Sequence, residues 1–98
     1  MEGAPRGQGV ISTQAEVLNG QGFHLRAASE FVRVASGFRS EVRISYNGVT
    51  ARGDSILDLL TLAADRGAVV VIEAEGTDAG KAVEVLSGLF STRFGGME

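Results

Sequence analysis

The fold of this chain is decided by residues 42–52, VRISYNGVTAR. Apolar and polar side chains alternate on both sides of Asn47-Gly48, as they do in strands with one buried face. Asparagine and glycine both tolerate the positive φ angles of a type I′ turn, so Asn-Gly is the strongest short hairpin signal. The stretch therefore predicts a β-hairpin, and a sheet that contains a hairpin cannot be all-parallel.

Two further strands are predicted on either side of the hairpin. Residues 10–18 alternate, and their apolar face consists of Ile11, Thr13, Ala15 and Val17. The β-branched run at residues 69–72 continues to Ala74 and ends at Gly76.

Three amphipathic helices are predicted between and after these strands. The first begins near Leu25 and ends before Gly37. The second, with its cap, covers the segment from Asp54 to Ala64 and is closed by Gly67. The third is capped by Thr77 or Asp78 and frays at residues 94–96. The order strand, helix, strand, strand, helix, strand, helix predicts an α+β fold, with helices on one face of a mainly antiparallel sheet.

The chain is long enough for one domain, which we assign to residues 10–94. Residues 1–9 contain the only proline and no periodicity, so they are predicted to be a flexible tail. Residues 95–98 are predicted to be a flexible C-terminal end.

Composition excludes several classes of function. A net charge of −3 and only one tyrosine and five phenylalanines argue against a nucleic-acid binder. The absence of cysteine and the single histidine argue against disulfides and metal sites, and no cofactor is predicted. The apolar runs are too short to span a bilayer, and the first residues lack a signal peptide's apolar core. These features predict a cytoplasmic protein with no membrane insertion.

The single histidine, His24, lies in the stretch NGQGFHLRAA at residues 19–28, between a predicted strand and a predicted helix. A helix N-terminus offers free N–H donors and the positive end of the helix dipole, which together favour anions such as a phosphoryl group. His24 would then be the nucleophile and Arg26 its charge partner. The alternative is that His24 is a loop residue or helix cap with no chemistry.

Three sequence blocks make residues 10–94 resemble HPr, the family of histidine-containing phosphocarriers of the bacterial phosphoenolpyruvate-dependent phosphotransferase system. The family pattern Gly-Leu-His-Ala-Arg-Pro-Ala corresponds to GFHLRAA at residues 22–28. The family pattern Lys-Ser-Ile-Met/Leu-X-Leu-Met/Leu corresponds to DSILDLL at residues 54–60. The family's last strand corresponds to residues that keep its spacing, namely Gly67, Val70, Ile72, Ala74 and Gly76.

The resemblance implies an open-faced β-sandwich, in which a four-stranded antiparallel sheet carries three helices on one face. It also implies a carrier rather than an enzyme. Neutral His24 would accept a phosphoryl group through Nδ1 from enzyme I and pass it to an enzyme IIA, while Arg26 stabilises the phosphoryl charge. The alternative is an HPr-like regulatory protein that binds partners with little or no phosphotransfer.

Ser55 has two predicted roles. With Asp58 three residues later, it resembles a capping box at the start of the second helix. The resemblance adds regulation, because the matching serine in many HPr proteins is phosphorylated by an HPr serine kinase/phosphorylase. Asp54 stands where the family has lysine, which places an anion beside such a phosphate.

The resemblance also implies that the first two helices dock on enzyme I. Leu25, Leu57 and Leu60 are the predicted apolar docking residues, and the alternative is that they belong to the core. Leu25 replaces a small residue of the family pattern, and Ala27 replaces proline, which would leave the helix start less rigid.

Two valines are predicted on the face of the sheet that the helices leave open. Val69 and Val71 alternate with residues of the helix-covered face, so they would either mark a self-association surface or be scattered surface apolar residues. A monomer is the expected state.

Overall fold

Strands and helices alternate along residues 9–98, the part of the chain that the computed structural model describes. The predicted tail therefore lies, except for Gly9, outside the described residues. The elements in order are β1 Val10–Glu16, α1 Leu25–Ala35, β2 Glu41–Tyr46, β3 Val49–Arg52, α2 Ile56–Leu60, β4 Val69–Glu75, α3 Ala79–Ser91 and a last turn, α4, Arg93–Gly96. None of these helices is long and apolar enough to cross a lipid bilayer.

The four strands form one antiparallel sheet in the order β1-β4-β2-β3. Residues on the same face of the sheet line up across its strands. Ile72 of β4, for example, lies opposite Thr13 of β1 and opposite Ile44 of β2. In β4, Val70 and Ile72 are fully buried, whereas Val69 and Val71 on the opposite face are exposed. The predicted α+β architecture, an antiparallel sheet with one face covered by helices, is confirmed.

A cluster of phenylalanines joins the helices beneath the loop that leads into α1. Its ring centroids lie 4.9–6.1 Å apart, and its members are Phe23, Phe31, Phe90 and Phe94. All four are buried. Because Phe23 directly precedes His24, the position of the histidine is tied to the packing of the core.

The second helix is shorter than predicted, since α2 ends at Leu60 and not at Ala64. The N–H groups of residues 61–63 bond to carbonyls three residues earlier, and Ala63 has a φ of +52°. This tightened turn buries Leu62 and Ala64, which a continued α-helix would not place together on the core. The sequence does not reveal the end of α2 at Leu60, because Leu62, Ala63 and Ala64 are all good helix formers.

The end of the chain also differs from its prediction. The third helix ends at Ser91, and Arg93–Gly96 form a left-handed turn in which every φ lies between +53° and +95°. Phe94 is predicted to lie in the fraying end of the helix, but it is buried. Its burial offsets the cost of the left-handed backbone conformation, which is roughly 1–2 kcal/mol for each non-glycine residue. The flexibility of residues 95–98 stays a prediction.

Asp78 occupies the N-cap position of α3, but its side chain makes no capping bond. Its carboxylate instead accepts hydrogen bonds from the Ser40 hydroxyl (2.6 Å) and from the N–H groups of Ser40 and Arg39 (both 2.9 Å). These donors lower the pKa of the Asp78 carboxyl, and the Ser40 hydroxyl has the largest effect. The predicted cap is therefore a link between the start of α3 and the loop before β2.

We expect Asp78→Asn to reduce stability at neutral pH and to have progressively less effect in acid. Because the folded state lowers the Asp78 pKa, its stabilising contribution is present above the ordinary aspartate value of about 3.9 and is lost as pH falls below it. Urea unfolding at pH 7 and at several values below 4 checks this. Asp65→Asn, an exposed matched control, should show no such trend. A stability gap for Asp78→Asn that is constant with pH would contradict the assignment.

Candidate functional site

His24 is the N-cap residue of α1. Its backbone is extended (φ −88°, ψ −177°), and its carbonyl accepts the first helical hydrogen bond, from the Ala28 N–H at 2.9 Å. The side chain caps the helix as well, because Nδ1 accepts a hydrogen bond from the Ala27 N–H at 3.3 Å. The histidine thus lies where the sequence predicts it, between the first strand and the first helix.

The two ring nitrogens of His24 have different surroundings. Nε2 is buried and has no hydrogen-bond partner, whereas Nδ1 is directed at the first turn of α1. The hydrogen bond from Ala27 uses the lone pair of Nδ1, and this corresponds to the tautomer that has its hydrogen on Nε2. Nδ1 therefore carries a lone pair that the Ala27 N–H occupies in this structure, and it is the ring nitrogen directed at the first turn of α1.

The first turn of α1 is electropositive. It contains no acidic residue, and within residues 9–98 the backbone N–H groups of Leu25 and Arg26 have no acceptor. The Arg26 side chain is exposed and makes no ion pair or hydrogen bond with the described residues. Unpaired donors and the helix dipole favour an anion at this point.

The loop before His24 is held by backbone contacts that require glycine. Gly22 has a φ of +75°, and a Cβ added there would lie 2.9 Å from the Ala64 carbonyl oxygen. That same carbonyl accepts a hydrogen bond from the Phe23 N–H at 2.9 Å. The turn after α2 therefore fixes the backbone one residue before the histidine.

Asn19 anchors the other end of this loop to the C-terminal segment. Its side chain is 1% exposed, and Nδ2 donates to the carbonyls of Arg93 (3.1 Å) and Met97 (2.8 Å). The Gln21 N–H also donates to the Glu98 carbonyl at 2.8 Å. Sequence reasoning did not assign this role to Asn19, because its partners lie more than 70 residues away.

We expect Asn19→Ala to destabilise the protein by about 2 kcal/mol, because two hydrogen bonds of roughly 1 kcal/mol each are lost and their carbonyls are left without the donor. Urea unfolding gives the free energy, and amide exchange of residues 21–24 should become faster. The matched control is Gln21→Ala, since Gln21 is an exposed amide in the same loop. Equal stability of the two variants would refute the anchoring role.

Ser55 is the N-cap residue of α2. Its Oγ accepts a hydrogen bond from the Asp58 N–H at 3.1 Å, so the predicted cap is present. The second bond of a capping box, from the Ser55 N–H to the Asp58 side chain, is absent. The Asp58 carboxylate instead accepts a hydrogen bond from the Arg52 N–H at 3.0 Å. The Arg52 guanidinium pairs with Asp54 through two bonds of 3.0 Å.

The three predicted docking leucines differ in exposure. Leu25 is 58% exposed and Leu57 is 78% exposed, whereas Leu60 is partly buried against the core. Leu25 and Leu57 lie on α1 and α2, which contact each other. Two exposed leucines thus lie on the helices that carry His24 and Ser55.

The exposed valines of β4 have polar residues opposite them on the neighbouring strands. In the sheet, Val69 lies opposite Glu16, and Val71 lies between Gln14 and Ser45. The two valines are therefore neighbours on the open face, with polar residues opposite them on the adjacent strands.

Chemically, the site combines a nitrogen lone pair with donors for negative charge. Within residues 9–98, no group of three His, Cys, Asp or Glu side chains is placed to hold a metal ion. The N–H groups of Leu25 and Arg26 at the start of α1, unpaired among the described residues, can compensate the charge of a phosphoryl group as it arrives or leaves.

Comparison with known proteins agrees with this chemistry. The family model for the PTS HPr component phosphorylation site matches residues 11–92. The phosphocarrier protein HPr of Neisseria meningitidis serogroup A is 36% identical over 86 residues, which cover 88% of this chain and 97% of the relative.

Solved structures give the same result. HPr-C-His from Thermoanaerobacter tengcongensis has a TM-score of 0.84 at 31% identity, covering 90% of this chain and 99% of that chain. An HPr dimer from the same organism has a TM-score of 0.69 at 33% identity, covering 81% and 91%. Since the match spans both His24 and the whole sheet, this chain belongs to the HPr family, the phosphocarrier proteins of the phosphotransferase system, which carry a phosphoryl group and are not enzymes.

Proposed function

We propose that this protein accepts a phosphoryl group on Nδ1 of His24 from the phosphohistidine of enzyme I and delivers it to a histidine of an enzyme IIA. The observation that carries the proposal is the orientation of the ring. Nδ1 points at the N-terminal turn of α1, while Nε2 is buried. This orientation supports Nδ1 as the attacking nitrogen, once the Ala27 N–H has left its lone pair.

The transfer needs no proton movement. The Nδ1 lone pair forms a bond to phosphorus while the bond from phosphorus to the enzyme I histidine breaks, and that electron pair returns to the enzyme I ring. The hydrogen on Nε2 stays in place. The N–H groups of Leu25 and Arg26 and the Arg26 guanidinium offset the phosphoryl charge. Delivery to enzyme IIA is the same exchange with His24 as the leaving group.

In this proposal, the protein docks on enzyme I through the apolar surface next to His24. Leu25 and Leu57 are the exposed contacts, and Leu60 supports them from the core side. Burying two leucine side chains is worth about 1.5–3 kcal/mol each, enough to orient a transient complex.

The proposal is tested by mixing the protein with its cognate enzyme I, magnesium and phosphoenolpyruvate. We expect one phosphoryl group per chain, labile in acid and stable in base, as for a phosphoramidate. Failure to form this adduct would favour the alternative, an HPr-like regulatory protein that binds partners without phosphotransfer.

We further propose that Ser55 is a regulatory phosphorylation site for an HPr serine kinase/phosphorylase. Its hydroxyl lies at the start of α2, one residue before Ile56 and two before the exposed Leu57. A phosphate there would add negative charge to the proposed docking surface. The adjacent Asp54 carboxylate opposes this phosphate, and the Arg52 guanidinium can offset it by leaving Asp54.

We expect phosphorylation of Ser55 to slow phosphoryl uptake from enzyme I about tenfold, the effect of ~1.4 kcal/mol of lost docking energy. With ATP, the kinase should phosphorylate the wild type and should phosphorylate Asp54→Lys faster. It should not phosphorylate Ser55→Ala. Ser55→Ala should also lose about 1 kcal/mol of stability with the cap. Equal uptake rates before and after Ser55 phosphorylation would refute the regulatory role.

We also propose that the protein acts as a cytoplasmic monomer. The polar residues opposite Val69 and Val71 support the monomer, because they keep the apolar surface formed by these two valines small. Sedimentation over a concentration series tests it, and a dimer like that of the Thermoanaerobacter relative is the contrary outcome.

A further inference from the structure

The N–H group of Ala27 lies at the point that a phosphoryl group on Nδ1 must occupy. In the unphosphorylated protein this N–H donates to the Nδ1 lone pair at 3.3 Å. The same lone pair must form the bond to phosphorus. The Ala27 hydrogen bond therefore has to break before His24 can be phosphorylated.

This donor is present because residue 27 is alanine. The family pattern has proline at the matching position, and proline has no backbone N–H. Ala27 is fully buried, so after phosphorylation water cannot easily replace the lost acceptor. The freed N–H needs a new acceptor within its own turn.

We propose that the Ala27 N–H changes its acceptor when His24 is phosphorylated, from Nδ1 to a phosphoryl oxygen. Together with the N–H groups of Leu25 and Arg26, which have no acceptor within residues 9–98, it forms a set of three adjacent backbone donors. The inference rests on the proposed phosphorylation of Nδ1. It assigns Ala27 a positioning role before transfer and a phosphoryl contact after it.

The change of acceptor favours the phosphorylated protein. The bond that breaks is neutral and long, whereas the bond that forms is charge-assisted, and such bonds are about twice as strong. We expect the phosphohistidine to be hydrolysed about fivefold more slowly than it would be without this donor. The equilibrium with phosphorylated enzyme I should shift toward the carrier by a similar factor.

NMR of the full ¹⁵N-labelled chain tests the inference directly. Phosphoramidate, a reagent that phosphorylates histidine without an enzyme, makes the measurement independent of any partner. Before phosphorylation, a coupling across the hydrogen bond should join the Ala27 amide to Nδ1. Afterwards this coupling should disappear, and the amide should couple to ³¹P. An Ala27 amide that shows no coupling to phosphorus, while those of Leu25 and Arg26 respond, would overturn the inference.

One variant gives a second measure. Ala27→Pro removes the N–H and should shorten the phosphohistidine lifetime about fivefold. An Ala27→Pro lifetime equal to that of the wild type would count against the inference. Should Ala27→Pro fail to fold, the NMR experiment on the wild type decides.

The inference and the proposed carrier function can fail separately. If phosphoramidate produces the change of acceptor but enzyme I does not phosphorylate His24, the proposed carrier function is wrong. The inference about the Ala27 N–H is then still supported. If enzyme I phosphorylates His24 on Nδ1 and the Ala27 amide does not couple to phosphorus, only the inference falls.

Discussion

Replacing His24 with asparagine is expected to abolish phosphoryl uptake from enzyme I and to leave the protein folded. An amide has no nucleophilic lone pair comparable to that of imidazole, so no phosphoryl group can be held. Asparagine is among the best N-cap residues, and its side-chain oxygen can accept the hydrogen bond that Nδ1 now receives from Ala27. Intact-mass measurement after incubation with enzyme I and phosphoenolpyruvate shows whether the phosphoryl group is bound.

His24→Ala is the companion variant that separates the cap from the chemistry. It should lose uptake equally and also lose about 1 kcal/mol of stability, because it has no capping group. A phosphoryl adduct on either variant would show that the phosphoryl acceptor is another residue.

Phe31→Ala is expected to cause the largest loss of stability, about 3–5 kcal/mol out of a total of roughly 5–15 kcal/mol for a domain of this kind. The Phe31 side chain is fully buried, and its ring packs edge-on against Phe23 and Phe90, with both centroids at 6.1 Å. The truncation leaves a cavity under the loop that positions His24. Urea unfolding measures the loss.

Phe38→Ala is the matched control for this truncation. Phe38 is only partly buried at the edge of the core, so the same change of side chain should cost clearly less. A loss for Phe31→Ala that is no larger than that for Phe38→Ala would show that the phenylalanine cluster is not the centre of the core.

The parts of this fold that sequence predicts are those set by neighbouring residues. The hairpin follows from Asn47-Gly48, which takes positive φ at both positions. The start of α1 near Leu25 follows from its amphipathic pattern, which puts His24 just before the helix.

The parts that sequence does not predict depend on contacts between distant segments. Asn19 bonds to carbonyls 74 and 78 residues away, and Asp78 bonds to a loop 38 residues before it. The early end of α2 has the same origin, because the burial of Leu62 and Ala64 outweighs their helix propensity.

The same division applies to the site. His24, Arg26 and Ser55 are at the helix starts where the motifs place them. The orientation of the His24 ring is not encoded in any local pattern, since it depends on which nitrogen the core buries. That orientation distinguishes a phosphoryl acceptor at Nδ1 from one at Nε2.

The most direct test of the account is ¹⁵N and ³¹P NMR of the protein after phosphorylation by enzyme I and phosphoenolpyruvate. We predict one phosphohistidine, with phosphorus bonded to Nδ1 of His24 and hydrogen on Nε2. A phosphoryl group on Nε2 or on another residue, or none at all, would contradict it.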